Sequence, residues 1–390
     1  MSSSTQSVPV CVHRVALDRV RENLRQQFLE RDAMIDAMIT ALLARQHVLL
    51  LGPPGTAKSA LVSALCSSID GAQHFQWLLT KFSTPEEMFG PISLTALQQD
   101  RVARITTNKL PEAHIAFCDE IFKANSAILN ALLTLINERA FHNDGRTFPC
   151  PLITMVGASN ELPEGAELEA LFDRFLLRFW LSYLADASNV RALLTHGSAS
   201  NGATITLDQL RACQTEADQI NVPDTIIDAI IAIKTKVEEA GFTVSDRRWK
   251  QTIAVLKAAA YLAGETDVSE EQLDLLPDML WREPKDRPSL AAIVGSVGNP
   301  LNVKATEILD AAKEALAKLG SPNKQDPSAK AEWLKEASLV ESRLGAMRTE
   351  LDDILVKHPS AKTRRVKDVL QSLDRMKRDI TGRVAALYNL

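Results

Sequence analysis

One stretch, Leu49-Leu50-Leu51-Gly52-Pro53-Pro54-Gly55-Thr56-Ala57-Lys58-Ser59-Ala60, constrains this chain more than any other. The apolar run Val48–Leu51 reads as a buried strand, breaks in a Gly/Pro loop, and is followed by a helix-compatible segment, Ser59–Ser67. Strand, glycine-rich loop and helix in that order form a phosphate cradle. Backbone N–H groups and the positive helix end would face the β- and γ-phosphates of a nucleotide. Lys58 would bring a mobile charge to the γ-phosphate, and the Ser59 hydroxyl a magnesium ligand. The pattern expects glycine before the lysine, and Ala57 stands there. Alanine lets the backbone approach phosphate provided its φ is negative. A chance turn would not also set lysine and serine in register, so Gly52 to Ala60 is read as a nucleotide site.

Two more strand ends carry chemistry. Ile115-Ala116-Phe117-Cys118 is an apolar run ending in Asp119-Glu120, about sixty residues past the loop. In an open parallel sheet, ligands bind at the carboxyl edge. There Asp119 would hold magnesium and Glu120 would polarise the water that attacks the γ-phosphate. The second acid favours hydrolysis over transfer to another substrate. Leu152–Ser159 is a third apolar run, and it delivers Asn160 to the same edge, where an amide can orient the water or touch the γ-phosphate. Leu171-Phe172-Asp173-Arg174-Phe175-Leu176-Leu177-Arg178-Phe179 then carries two arginines in an apolar helix-to-strand junction. Either could be a structural ion pair, or could reach a neighbouring subunit's site and stabilise phosphoryl charge.

Around these motifs, helices are expected over Arg14–Phe28 and Arg31–Ala44, the second with one apolar face from Met34 to Leu43. A strand is expected at His74–Leu79 and a helix start at Ser83–Glu87. The net charge of −5 gives no general pull toward nucleic acid or anionic membrane. Five scattered cysteines without a C-x-x-C pair read as free thiols of a reducing compartment. The seven histidines show no metal-ligand spacing. The Ser/Thr-rich start has no signal-peptide pattern, and no run approaches the ~18 apolar residues of a membrane span. The expected location is the cytoplasm.

Taken together, these motifs resemble the MoxR family of AAA+ ATPases. The resemblance is closest to its RavA-type branch, through Phe82-Ser83-Thr84-Pro85-Glu86-Glu87, Asp119-Glu120-Ile121, Ile136-Asn137-Glu138-Arg139, Ser159-Asn160-Glu161-Leu162-Pro163 and Val244-Ser245-Asp246-Arg247-Arg248-Trp249-Lys250. It implies an α/β P-loop core with a parallel sheet flanked by helices, then an all-α lid and a helical arm. Lys58 and Ser59 resemble the Walker A pair, Asp119 and Glu120 the Walker B pair, and Asn160 sensor 1. Arg174 matches an arginine finger acting in trans, with Arg178 as the alternative. Arg247 looks like a sensor 2 that contacts the γ-phosphate, with Arg248 as the alternative. The stretch from about Phe89 to Thr107 would be an insert in the second core helix. The resemblance further implies ATP and Mg2+, a homohexameric ring, chaperone-like remodelling of a protein client, and a von Willebrand A-domain partner protein. The small β-rich domain that RavA-like proteins insert in their arm has no counterpart here, so lysine decarboxylase, bound through it, is not carried over.

The expected domains are a disordered tail at 1–13, a nucleotide-binding domain at 14–200, a lid at 203–288 and an arm at 289–390. The arm shows three apolar stripes at coiled-coil spacing: Ala305 to Leu319, Ala337 to Ile354 and Val366 to Leu387. Gly320-Ser321-Pro322 and His358-Pro359-Ser360 would supply its turns. From Glu341 onward it holds 11 Lys/Arg against 7 Asp/Glu, with Lys362, Arg364, Arg365 and Lys367 together. That is a solvated helix face, or a docking surface for an acidic partner or nucleic acid. Two other functions stay open: a nucleic-acid translocase or loader, unsupported by a zinc site or aromatic run, and a nucleotide-switched scaffold with slow hydrolysis.

Overall fold

A computed structural model describes residues 12–195, 202–298, 300–320, 327–357 and 364–388. The chain divides into two compact units, Met1–Asp224 with Phe242–Arg287, and Thr225–Gly241 with Pro288–Leu390. Of the expected tail, residues 1–11 lie outside the described residues, and so do the expected arm turns from Ser321 and from His358 and the basic residue Lys362.

In the first unit, α1 (Val12–Gln27) and α2 (Asp32–Ala44) lead into β1 (Val48–Leu51), and α3 (Lys58–Ser67) follows the Gly/Pro loop. Next come β2 (Ile69–Asp70), β3 (His74–Leu78), α4 (Pro85–Phe89), α5 (Leu94–Leu97), β4 (Ile115–Asp119) and α6 (Ser126–Glu138). A hairpin, β5 (Ala140–Asn143) and β6 (Arg146–Pro149), precedes β7 (Thr154–Ser159), α7 (Ala166–Arg174) and β8 (Leu177–Trp180). Ahead of the expected lid comes α8 (Ala187–Thr195), a helix with no buried side chain, and β9 (Ile205–Thr206) beyond it pairs with β2.

The main sheet runs β3-β4-β7-β1-β8, every neighbouring pair parallel. The full burial of β1 and β7 is what a sheet covered on both faces requires. Parallel register aligns the strand ends: Leu51 lies opposite both Ser159 and Trp180, and Leu78 opposite Asp119. The loop after Leu51, Asp119 and Asn160 therefore share the carboxyl edge. His47, just before β1, and Arg174, three residues before β8, share the amino edge.

Helices α9 (Leu207–Asp218), α11 (Asp246–Ala263), α12 (Glu270–Leu273) and α13 (Leu276–Leu280) complete the unit, while α10 (Asp224–Glu239) and α14 (Asp286–Gly298) run mostly in the second unit. One apolar face was expected on α2, yet the helix buries everything from Met34 to Ala44 except Asp36, because α1, α9, α11 and β8 all pack on it. No helix among the described residues is long and apolar enough to cross a membrane.

The second unit contains α15 (Pro300–Leu319), α16 (Pro327–Lys357) and α17 (Arg364–Tyr388), which pack pairwise into a three-helix bundle. Its core takes Ala305, Ile308 and Ala312 from the first helix, Ala337, Leu344 and Leu351 from the second, and Val366, Leu373 and Ile380 from the third. These are the residues of the three expected stripes.

His47 sits in the core at the start of β1, 4% exposed. Its Nδ1 accepts from the Met155 N–H at 2.9 Å, which puts the ring proton on Nε2, facing the Ile136 carbonyl at 3.3 Å. Burial, then the charge of Arg139, pushes its pKa down from 6.5 to about 3. Between those values the unfolded chain binds a proton that the folded chain refuses, so stability falls as pH drops, by at most about 1.4 kcal/mol per unit. Urea midpoints should decline from pH 7 toward pH 4, and a His47→Gln chain should show a flatter profile.

Candidate active site

The loop after β1 is held from both sides. Gly52 has φ 137°, and a Cβ there would lie 2.3 Å from the Leu181 carbonyl oxygen, so no side chain fits. Thr56 Oγ1 donates to the Pro53 carbonyl at 3.0 Å, and the Tyr183 hydroxyl to the Pro54 carbonyl at 3.2 Å. Residues 54–60, with Asp119, Glu120 and Asn160, line a cavity of about 280 Å³. First-turn helix N–H groups have no intrahelical acceptor, and the residues that carry them in α3, Lys58 to Ala60, line this cavity.

Ala57 corrects one expectation. Its φ is +64° and ψ 23°, the left-handed region, not the negative φ that alanine prefers. The loop keeps the glycine conformation and the alanine carries the strain, on the order of 1 kcal/mol. Ala57→Gly should therefore raise the melting temperature by about 2–4 °C, read by calorimetry.

Around the cavity the polar groups form one network. Lys58, 7% exposed, donates from Nζ to the Gly52 carbonyl at 2.6 Å, the Pro53 carbonyl at 3.1 Å and Asn160 Oδ1 at 3.1 Å. Burial holds its pKa below the ordinary lysine value, against the pull of Asp119 and Glu120. Asn160 Nδ2 donates in turn to Glu120 Oε1 at 2.7 Å, so a single amide joins the lysine to the acid. Ser59 Oγ donates to Asp119 Oδ2 at 3.2 Å, which sets two oxygens side by side as a hard cation needs. Glu120 takes a left-handed conformation, φ 52°, and its own N–H donates to Asp119 Oδ1 at 3.0 Å. Lys123, unremarked in the sequence, pairs with Glu120 Oε2 at 3.2 Å, and its place three residues after the acid was the available signal. Among the described residues no cluster of three or more His, Cys, Asp or Glu could hold a metal. A cradle of helix N–H groups, a buried lysine and a serine–aspartate pair fit a nucleoside triphosphate with magnesium.

Neither Arg174 nor Arg247 lines this cavity. Arg174 ends α7 at the opposite, amino edge. It lies 3.8 Å from Asp173, and its Nε is buried with no hydrogen-bond partner. Burial, then the nearby Arg247, holds its pKa below the ordinary arginine value. Arg247 donates to Asn137 Oδ1 at 2.9 Å, at the end of α6, and adds to the charge that lowers the His47 pKa. The two alternatives are buried instead. Arg178, 1% exposed, is turned into the carbonyls of Phe172, Phe175 and Trp281 and stacks on the Phe172 ring at 3.7 Å. Arg248, 3% exposed, spends its guanidinium on Asp173 and four carbonyls. Asp173 is the shared carboxylate of Arg174, Arg178 and Arg248, and these cations hold it below the usual range although burial pushes it up.

Comparison with known proteins gives the family. Residues 15–221 match a domain family described as the MoxR domain in the MoxR-vWA-beta-propeller ternary systems. Residues 225–294 match an AAA lid domain. An uncharacterised protein of Methanocaldococcus jannaschii is 37% identical over 373 residues, 94% of this chain and 99% of that protein. The chaperone MoxR1 of Mycobacterium tuberculosis is 26% identical over 286 residues, 68% of this chain and 74% of its own length. A crystal structure from Cytophaga hutchinsonii, of a protein assigned as an ATPase, shares the fold with a TM-score of 0.59 at 18% identity, covering 73% of this chain and 94% of that one. With a MoxR-domain match over more than half its length and a lid match directly behind it, the chain belongs to the MoxR family of AAA+ ATPases.

Proposed function

We propose that this chain hydrolyses ATP with magnesium in a homohexameric ring, each site being completed by the neighbouring copy. The observation that carries the reading is the separation of charge across the sheet. Lys58, Ser59, Asp119, Glu120 and Asn160 converge at the carboxyl edge. Arg174, Arg178, Arg247 and Arg248 gather at the amino edge, where one carboxylate, Asp173, answers three of them. Arg174 and Arg247 lie outside their own chain's cavity, and an edge with surplus positive charge suits the γ-phosphate of an adjacent copy.

In this reading Ser59 and Asp119 would hold magnesium, which would supply positive charge to offset that of the phosphates. Lys58 leaves its loop carbonyls to neutralise the γ-phosphate. Glu120, steadied by Asn160, orients a water and takes its proton as the water attacks the γ-phosphorus in line, and the bond from that phosphorus to the β–γ bridging oxygen breaks, so that ADP leaves and inorganic phosphate is formed. Arg174 of the adjacent copy stabilises the equatorial oxygens, with Arg247 beside it as sensor 2.

We further propose a nucleotide-binding domain at 14–200, a lid at 203–288 and an arm at 289–390, in a chaperone-like cytoplasmic machine that remodels a protein client. The quoted motifs support a position near the RavA-type branch. The description of the matched family names a von Willebrand A-domain component, which supports such a protein as its partner. Turnover per chain measured against protein concentration tests the shared site. It should rise with concentration and then level off, whereas a rate per chain independent of concentration would contradict it.

A further inference from the structure

The two buried arginines beside the candidate finger do more than fill the core. We infer that Arg248, from the lid, is a positioning residue for Arg174, so that the lid of one copy sets the hydrolysis rate at its neighbour's nucleotide. The inference rests on the reading of Arg174 as a finger acting in trans.

The geometry is a cradle around one short piece of backbone. Arg248 Nη2 donates to the Asp173 carbonyl at 2.8 Å and the Phe175 carbonyl at 3.2 Å, the residues on either side of Arg174. Its Nη1 donates to Leu176 at 3.0 Å and, within the lid, to Met279 at 2.6 Å. Its Nε and Nη2 take Asp173 Oδ1 at 3.3 and 3.1 Å. Arg178 closes the cradle from β8, with Nη2 on the Phe172 carbonyl at 3.0 Å and Nε on Phe175 at 3.1 Å. The carbonyls of residues 172, 173, 175 and 176 are thus all bonded by guanidinium groups. The one cationic side chain of this segment, residues 172–176, is Arg174, 23% exposed. Burial leaves neither guanidinium water as an alternative partner, so each bond that opens exposes an unpaired charge.

Asp173 adds a second lever. Its carboxylate is held by Arg248 at 3.1 Å, while Arg174 lies 3.8 Å from the other oxygen. Without Arg248, Asp173 would be left to Arg174 at 3.8 Å and to Arg178 at 4.0 Å, and since Arg178 is spent on carbonyls, a tighter pair with Arg174 would draw the finger back toward its own chain. Arg248 lies in the first turn of α11, next to Arg247, and Met279 belongs to α13. A rotation of these helices therefore moves the backbone that carries the finger. Coupling of this kind passes in one direction around a ring, from the lid of one copy to the site of the next.

The test uses Arg248→Gln and Arg248→Lys in the full chain, with Arg174→Ala as the reference. Lysine keeps the charge and can still meet Asp173, but cannot span four carbonyls. Each variant is assayed for ATP affinity, for kcat and KM, and as an equimolar mixture with Glu120→Gln. Displacing a transition-state group by about an ångström costs ~10²-fold in kcat. Arg248→Gln should fall by that order with ATP affinity kept, and Arg248→Lys should fall less. Mixing either with Glu120→Gln, whose cradle is intact, should recover turnover as mixing Arg174→Ala does. Wild-type kcat in Arg248→Gln, or no recovery in its mixture while Arg174→Ala recovers, would overturn the proposal. Failure of the Arg174→Ala mixture itself strikes instead at the finger reading. If Arg248→Gln has no cooperative melting transition, Arg248→Lys decides by the same mixture.

Discussion

Glu120→Gln should reduce steady-state ATP turnover by ~10²–10⁴-fold while ATP stays bound, because only proton transfer in the transition state is lost. The amide is nearly the same size as the acid and can still accept from Asn160 Nδ2, which now approaches Glu120 Oε1 at 2.7 Å. What it cannot do is take a proton from water. The partner Lys123 would lose its ion pair, a partly exposed contact whose contribution to stability is small. The check is a pair of measurements, turnover and equilibrium binding of a fluorescent ATP analogue. Lost turnover with unchanged affinity is the expected pattern, and turnover within about tenfold of wild type would remove Glu120 from the role of base.

Arg174→Ala should reduce turnover by ~10³–10⁵-fold, the range found when a phosphoryl-transfer site loses its arginine finger. The surroundings of the side chain support the proposed role. Its Nε is buried without a partner, Asp173, its one acid among the described residues, is already engaged by Arg248, and Arg247 adds a second positive charge nearby. A purely structural arginine would resemble Arg178, enclosed and turned into carbonyls. Removing Arg174 relieves repulsion at the edge, so the melting temperature should hold or rise slightly while hydrolysis collapses. A parallel fall in both would mark the residue as structural.

Much of this was legible in the sequence wherever chemistry demands a residue type. Gly52, Lys58, Ser59, Asp119 and Asn160 each end or follow an apolar run, and a parallel sheet carries such ends to one edge. The arm was equally legible, because its stripes repeat at helical spacing and all face one core. The rest depends on contacts distant in sequence. Nothing local distinguishes Arg174 from Arg178 or Arg247 from Arg248. Burial by Phe172, Trp281 and Met279 decides which guanidinium is spent on carbonyls. The sign of φ at Ala57 follows from loop closure rather than from alanine's own preference, which is why glycine geometry persists there. The hairpin β5–β6 escaped notice because each strand has four residues and β6 is wholly exposed, leaving no alternating pattern to read. Helix α8 escaped because a Ser-, Asn- and Ala-bearing segment with no buried side chain looks like a linker.

The most direct test of a site shared between copies is ATP turnover by an equimolar mixture of Arg174→Ala and Glu120→Gln chains. On the proposed roles each should be inactive alone, one lacking the finger and the other the base. Random assembly pairs an intact Glu120 with an intact Arg174 at roughly a quarter of the interfaces. Recovery of turnover toward that fraction, growing with protein concentration, is the expected result. A mixture no more active than its parents would mean that base and arginine must come from one chain, and the ring-completed site would be wrong.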